Sequence, residues 1–225
     1  MTGQALRQAR SNLGLSQVEA AAQLGVSQPL LSLMEKGERA VTPALAKKAV
    51  TTLRATPELL PVALDTRHND DQLAADFGAL AYPGYAYLRG QSRNPAEVLF
   101  DALDRRDLDS RLVEALPWLP LQYPNMDWDW LTTQAKINNR QNRLGFVVAL
   151  ALRVAKKHAN RNVEKRLSEV VETLEEARLV KTDTLCQESW PPSQRKFAHQ
   201  QRSALAAHWR LDTRLTEENL ANLSA

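Results

Sequence analysis

Ser16-Gln17-Val18-Glu19-Ala20-Ala21-Ala22-Gln23-Leu24-Gly25-Val26-Ser27-Gln28-Pro29 is the stretch that decides the fold of this chain. Ser16 followed three residues later by Glu19 is a capping box, in which the hydroxyl accepts an orphan amide and the carboxylate reaches back to the cap. The helix opened there stops at Gly25, the residue suited to a left-handed turn. Val26 fills the corner, Ser27 caps the next helix and Pro29 stands in its first turn. That second helix runs through Leu30, Leu31 and Met34 to Gly37. Ala21 is small where the two helices approach, and Leu24, Val26, Leu31 and Met34 face inward and fix the angle between them.

Outward from this hairpin, Leu6, Ala9 and Leu13 form a stripe for a supporting helix, and Thr42-Pro43 opens a fourth with Leu45, Ala49 and Leu53 as its face. A helical hairpin alone would explain Ala21, Gly25 and Leu31. It does not explain glutamines at the starts of both helices or the basic residues nearby. Leu15-Ser16-Gln17, Leu24-Gly25-Val26-Ser27-Gln28-Pro29, Ser32 and Glu35-Lys36-Gly37, in that order, resemble the Cro-like phage-repressor (XRE) helix-turn-helix family over residues 3–60. The resemblance implies a lambda-repressor-like bundle that binds a double-stranded DNA operator as a homodimer. The first residues of its second motif helix would reach base edges in the major groove. Gln28 is the leading base reader, because a carboxamide can pair bidentately with adenine. Ser27 and Ser32 suit a base or a phosphate. Gln17 matches the family position that contacts phosphate, while Lys36 and Arg39 suit the DNA backbone. Leu33 departs from the polar or basic residue often found there and offers only apolar contact, as to a thymine methyl.

Whole-chain charge hides this reading. The 225 residues carry 29 Lys+Arg and 26 Asp+Glu, a net +3 that by itself suggests no nucleic-acid partner. Divided, residues 1–62 carry +3, residues 63–135 carry −6 and residues 136–225 carry +6. All five tryptophans lie between Trp118 and Trp209. Composition excludes wholesale disorder, collagen and a disulfide scaffold. The single cysteine, Cys186, suits a reducing compartment, and with no signal-like start the expectation is a cytoplasmic protein. The most apolar run, Leu144 to Leu152, is too short to span a membrane and reads as a buried helix.

The expected architecture is all-α: a DNA-binding domain over 1–62 and a larger helical partner-binding or oligomerisation domain over 63–225. Thr56-Pro57, Leu60-Pro61 and the polar stretch from Asp65 to Asp70 mark the boundary. Helices are expected near 72–81, 95–104, 108–116, 127–157, 161–180, 193–210 and 215–223.

The second region holds no phosphate loop, no zinc spacing among Cys186, His68, His158, His199 and His208, and no His-Glu-x-x-His. No cofactor, no metal and no enzyme activity are therefore expected. Arg153 with His158 and Arg202 with His208 mimic a short ribonuclease signature, but arginines and histidines on helical faces produce such pairs by chance. Asp127-Trp128-Asp129-Trp130 reads as a helix start rather than a carboxylate pair. Asn138 to Arg143 reads as the solvated turn of a long helix, or alternatively as a polar contact surface. The basic residues Arg153, Lys156, Lys157, Arg161, Lys165 and Arg166 read as a solvated face, with DNA phosphates or an acidic partner as the alternatives. Together these features point to a repressor that is also the autoregulating antitoxin of a toxin–antitoxin or phage-defence operon, with a toxin as possible partner. The alternative is a regulator whose helical region senses an effector or peptide.

Overall fold

Good helix formers and few β-branched runs make nearly every element helical. A computed structural model describes residues 1–63 and 69–223, and among them only two two-residue strands interrupt the all-α pattern. Two compact units result, one of residues 1–63 with 91–94, the other of the remaining described residues. None of the described helices is long and apolar enough to cross a membrane. Part of the polar stretch expected at the boundary, residues 65–68, lies outside the described residues.

The first unit contains α1 (Gly3–Asn12), α2 (Gln17–Leu24), α3 (Gln28–Glu35) and α4 (Pro43–Thr52). Each begins where a hydroxyl accepts a backbone amide: Thr2, Ser16, Ser27 and Thr42 respectively. Gly25 ends α2 with φ of 68°, the left-handed conformation its position in the sequence calls for. Leu6, Ala21, Leu24, Leu31, Ala49 and Leu53 form the core, all of them buried. Leu13, expected on the inner stripe, is exposed because α1 ends at Asn12 and its cap turns outward. Residues 91–94 return to this unit, where the Asn94 side-chain amide donates to the carbonyl oxygens of Glu58 and Leu60 at 3.1 and 2.7 Å.

In the second unit α5 (Asp70–Ala79), α6 (Pro95–Asp104), α7 (Ser110–Ala115), α8 (Trp118–Gln122) and α9 (Trp128–Ile137) precede the long α10 (Gln141–Lys157) and α11 (Arg161–Glu175). Strand β1 (Asp183–Thr184) then pairs in parallel with β2 (Leu211–Asp212), with α12 (Pro192–Gln201) and α13 (Ala204–His208) forming the crossover between them. Two helices form the centre. Pro95–Leu103 of α6 and Gln141–Leu152 of α10 are buried around their whole circumference. Gly145 lets α10 approach Trp209 so closely that an added Cβ would overlap the indole ring.

Two expected helices are broken, each by a capping residue. The helix expected over 127–157 is two, because Asn139 adopts φ of 56° and the Asn138 side chain bonds the Gln134 carbonyl at 2.9 Å. Arg202 is extended and Ser203 caps anew, accepting from the Ala206 amide at 3.1 Å, so 193–210 divides into α12 and α13. The stretch 161–180 ends at Glu175, and 215–223 is a 3₁₀ segment, Glu217–Leu223. Asp127 does cap its helix, accepting from the Trp130 amide at 3.1 Å.

The largest correction concerns Asn138 to Arg143, expected to be solvated: Gln141, Asn142 and Arg143 are buried. Asn142 pairs with the Leu179 backbone in both directions, at 2.9 and 2.8 Å. Arg143 has no exposed side-chain surface and places all five N–H donors. Nε and Nη2 reach the two Asp183 oxygens at 2.8 and 3.1 Å, Nη2 also reaches Glu188 at 2.9 Å, and Nη1 reaches the Leu103 and Arg105 carbonyls at 3.0 and 2.7 Å. Those carbonyls belong to the end of α6, where orphan acceptors attract a cation. The Cys186 thiol lies in the same pocket, donating to the Ala102 carbonyl at 3.4 Å, and burial pushes it up to about 11. Replacing Arg143 by methionine strands two carboxylates and the α6 carbonyls, and is expected to cost about 3–5 kcal/mol. Urea denaturation followed by tryptophan fluorescence measures it; a loss below about 1 kcal/mol would show the network to be dispensable.

Candidate nucleic-acid interface

Gln17, at the first turn of α2, and Gln28, at the first turn of α3, lie 11 residues apart in sequence and are joined side chain to side chain. Direction along this contact is set from the interior. Glu35, on the buried face of α3, has an ionised carboxylate that can only accept. Arg10 donates to its Oε1 from Nε at 2.6 Å and to its Oε2 from Nη2 at 3.0 Å, a bidentate pair. Nη1 of Arg10 also donates to the Leu15 carbonyl at 2.7 Å, tying α1 to the start of α2. Gln17 Nε2 donates to Glu35 Oε2 at 2.9 Å, so its carbonyl oxygen points away and accepts from Gln28 Nε2 at 2.8 Å. Both amide orientations are therefore fixed by one carboxylate. The second N–H and the carbonyl oxygen of Gln28 have no partner among the described residues.

Burial opposes the charge on Glu35, but hydrogen bonds from Arg10 and Gln17 and the Arg10 charge outweigh it, holding the carboxyl below its usual range. At the start of α2, hydrogen bonds from the Ser16 hydroxyl and backbone hold Glu19 low in the same way.

The remaining expected contact residues fall on the outer side of the motif. Ser27 is exposed at the N-terminus of α3, its hydroxyl accepting from the Leu30 amide at 3.4 Å. Gln28, Ser32 and Lys36 follow at intervals of four, on one face. Pro29 and Leu33 lie beside them, Leu33 being 40% exposed. Arg39 is exposed on the turn that Gly37 makes with φ of 80°, a turn that also carries Glu38.

Three residues that sequence reasoning passed over belong to this surface or its support. Val18, next to Gln17, is 66% exposed. Arg10 and Glu35 anchor the glutamine chain from below. Glu35 stands four residues after Leu31 on the inward stripe, and a carboxylate at an apolar position calls for a buried cation. That spacing was a usable signal.

Residues 3–63 match a family model described as a helix-turn-helix domain. No curated protein and no solved structure matches the chain. The first unit is therefore an N-terminal helix-turn-helix domain of the DNA-binding kind, followed by a larger helical region.

Glu35→Gln removes the acceptor on which Arg10 depends and is expected to destabilise the first unit by about 3 kcal/mol at pH 7. Because the folded carboxyl titrates lower than the unfolded one, the wild-type advantage is complete above about pH 4.5 and disappears as pH falls through the folded value. Circular-dichroism melts across pH 3–7 measure this, since tryptophan fluorescence reports only the region from Trp118 to Trp209. An advantage that persisted undiminished at pH 3 would remove Glu35 as the titrating group.

Proposed function

We propose that the chain is a sequence-specific transcription repressor that acts by binding rather than catalysis. Its α3 enters the major groove, and two copies bind a two-fold operator. The observation that carries this is the oriented amide of Gln28. With one N–H committed to Gln17, the other N–H and the carbonyl oxygen are left as a donor–acceptor pair, which adenine complements through N7 and its N6 amino group. Gln17 and Ser27, at two helix N-termini, suit phosphates, and Lys36 and Arg39 suit the flanking backbone. Ser32 and Leu33 face the groove beyond Gln28. Half-sites are expected about 34–36 Å apart, centre to centre, as for a dimer of such heads.

The finer reading is an autoregulating antitoxin: the head holds the operator of its own operon, and the larger helical unit covers a toxin encoded beside it. Its support is the joining of a DNA-reading head to a helical unit of more than twice its length. A groove of about 410 Å³ in that unit, lined by Glu114, Trp190, Arg214 and Thr216 among others, favours an effector-sensing regulator as the second reading.

Gln28→Ala is expected to cost about 1–3 kcal/mol in operator binding and to relax one base position in a selected-site motif. An unchanged motif with unchanged affinity removes Gln28 as the base reader. Co-expression with the product of the adjacent gene separates the finer readings. Rescue from that product's toxicity, with co-purification, supports the antitoxin; no rescue, together with an operator affinity shifted by a small ligand, supports the effector sensor.

A further inference from the structure

Helices α10 and α11 pack side by side through a tight corner, where Ala159 takes φ of 54° and Asn160 caps α11 by accepting from the Val163 amide at 3.4 Å. Arg153, Lys156, Lys157, Arg161, Lys165 and Arg166 are all exposed around it. Two of these have carboxylate neighbours: Arg166 pairs with Glu169 at 3.2 Å, and Arg153 approaches Glu217 at 3.9 Å. Among the described residues Lys156, Lys157, Arg161 and Lys165 pair with no carboxylate within 4.0 Å.

Helix electrostatics accounts for only half of this arrangement. Lys156 and Lys157 stand in the last turn of α10, where the negative end of the dipole favours cations. Arg161, in contrast, is the first residue of α11, at the positive end. Lys165 follows at i+4, a like-charge spacing that weakens a helix. Glu164 and Glu169 stand at i+3 of Arg161 and i+4 of Lys165, yet form no pair with either within 4.0 Å. The helix dipole therefore argues against Arg161, local pairing does not hold Lys165, and an external polyanion is what their placement suits. A protein partner would call for an apolar or aromatic anchor at the centre of the contact. None of the exposed large hydrophobics among the described residues (Leu13, Val18, Leu33, Tyr87, Ile137, Val180 and Phe197) lies at this corner. Binding to a phosphate backbone needs no such anchor, because its favourable term is counterion release.

We propose that the α10–α11 corner of the second unit is a sequence-independent DNA-phosphate contact, made through Lys156, Lys157, Arg161 and Lys165. It rests on the DNA-binding reading of the first unit only in that DNA is the polyanion this chain meets. The corner adds affinity and salt dependence without adding base preference.

The test uses the full chain with all four residues changed to glutamine, on a duplex carrying the selected site and on a scrambled one, across a salt series. The slope of log affinity against log salt is expected to become shallower by about 2 to 4, at about 0.9 for each phosphate no longer neutralised. Affinity should fall at least tenfold on both duplexes with the selected motif unchanged. A matching circular-dichroism melt excludes misfolding as the cause. Slopes and affinities equal to wild type overturn the proposal, including the case in which the corner instead captures an acidic protein. The two readings fail separately. A shallower slope in the four-residue variant, with a Gln28→Ala motif identical to wild type, upholds the corner and overturns Gln28 as reader. An unchanged slope with a relaxed Gln28→Ala motif does the reverse. No binding to either duplex at low salt overturns both.

Discussion

A guanidinium removed from water must place five N–H donors, and the second unit is arranged around the one that does. Arg143 lies on a helix buried around its circumference, so its cost of desolvation is met only if the acceptors come to it. Two of them are carbonyls at the end of α6, two are the oxygens of Asp183 and one is from Glu188. These belong to segments about 40 residues before and after it in sequence. Once they are fixed, β1 has a position, and the chain from Asp183 to Glu188 can pass between β2 and the residues after α6, bending at Cys186, which takes φ of 56°. Leu108 and Glu188 amides, bonded to the Cys186 and Arg106 carbonyls at 3.0 and 2.8 Å, extend the same tie. Asp183 and Glu188 each keep a wet edge, about a quarter exposed, which lowers the cost of desolvating their side of the network.

The first unit uses the same logic at smaller scale and aims it outward. Arg10 and Glu35 form the desolvated pair, and the remaining lone pairs of Glu35 orient Gln17, which orients Gln28. A buried ion pair contributes little net stability compared with an apolar replacement. An apolar replacement would, however, leave both glutamine amides free to rotate. What the pair supplies is direction: a surface amide whose donor and acceptor are assigned before any ligand arrives, so that less ordering remains to be done on binding.

Much of the first unit was legible because its signals are local. The capping box at Ser16, the left-handed Gly25 and the Ser27 cap each act over three or four residues, and local rules find them. Lys36 and Arg39 as exposed cations needed no tertiary knowledge either. The link between Gln17 and Gln28 and the role of Arg10 were not legible, since they depend on how three helices meet. In the second unit the apolar spacing showed the helices but not their breaks. Asn139 and Ser203 are polar residues that a helix tolerates, and whether they continue or cap it is decided by packing. The Asn138 to Arg143 stretch was misread for the same reason. Six polar residues in a row look solvated unless the acceptors 40 residues away, on either side, are known.

Magnitudes constrain how such a head can discriminate. One bidentate side chain on one base is worth about 1–3 kcal/mol, whereas specific regulators separate their sites from bulk DNA by about 4–10 kcal/mol. In the proposed reading Gln28 supplies one such contact per head, and Leu33, with no hydrogen-bonding atom, adds at most an apolar contact to a thymine methyl. Ser32 reads either base type and so selects weakly. A single head therefore falls short; in the same proposed reading, two heads on a two-fold site supply about 2–6 kcal/mol, which reaches the lower part of that range. In that reading the phosphate contacts supply affinity without disturbing that ratio, because a phosphate oxygen carries no base identity. The near-neutral total charge is compatible with this because the acidic residues are concentrated between 63 and 135, while both ends of the chain stay basic. Net charge describes the molecule's solubility; the segment charges describe which surfaces a polyanion can approach.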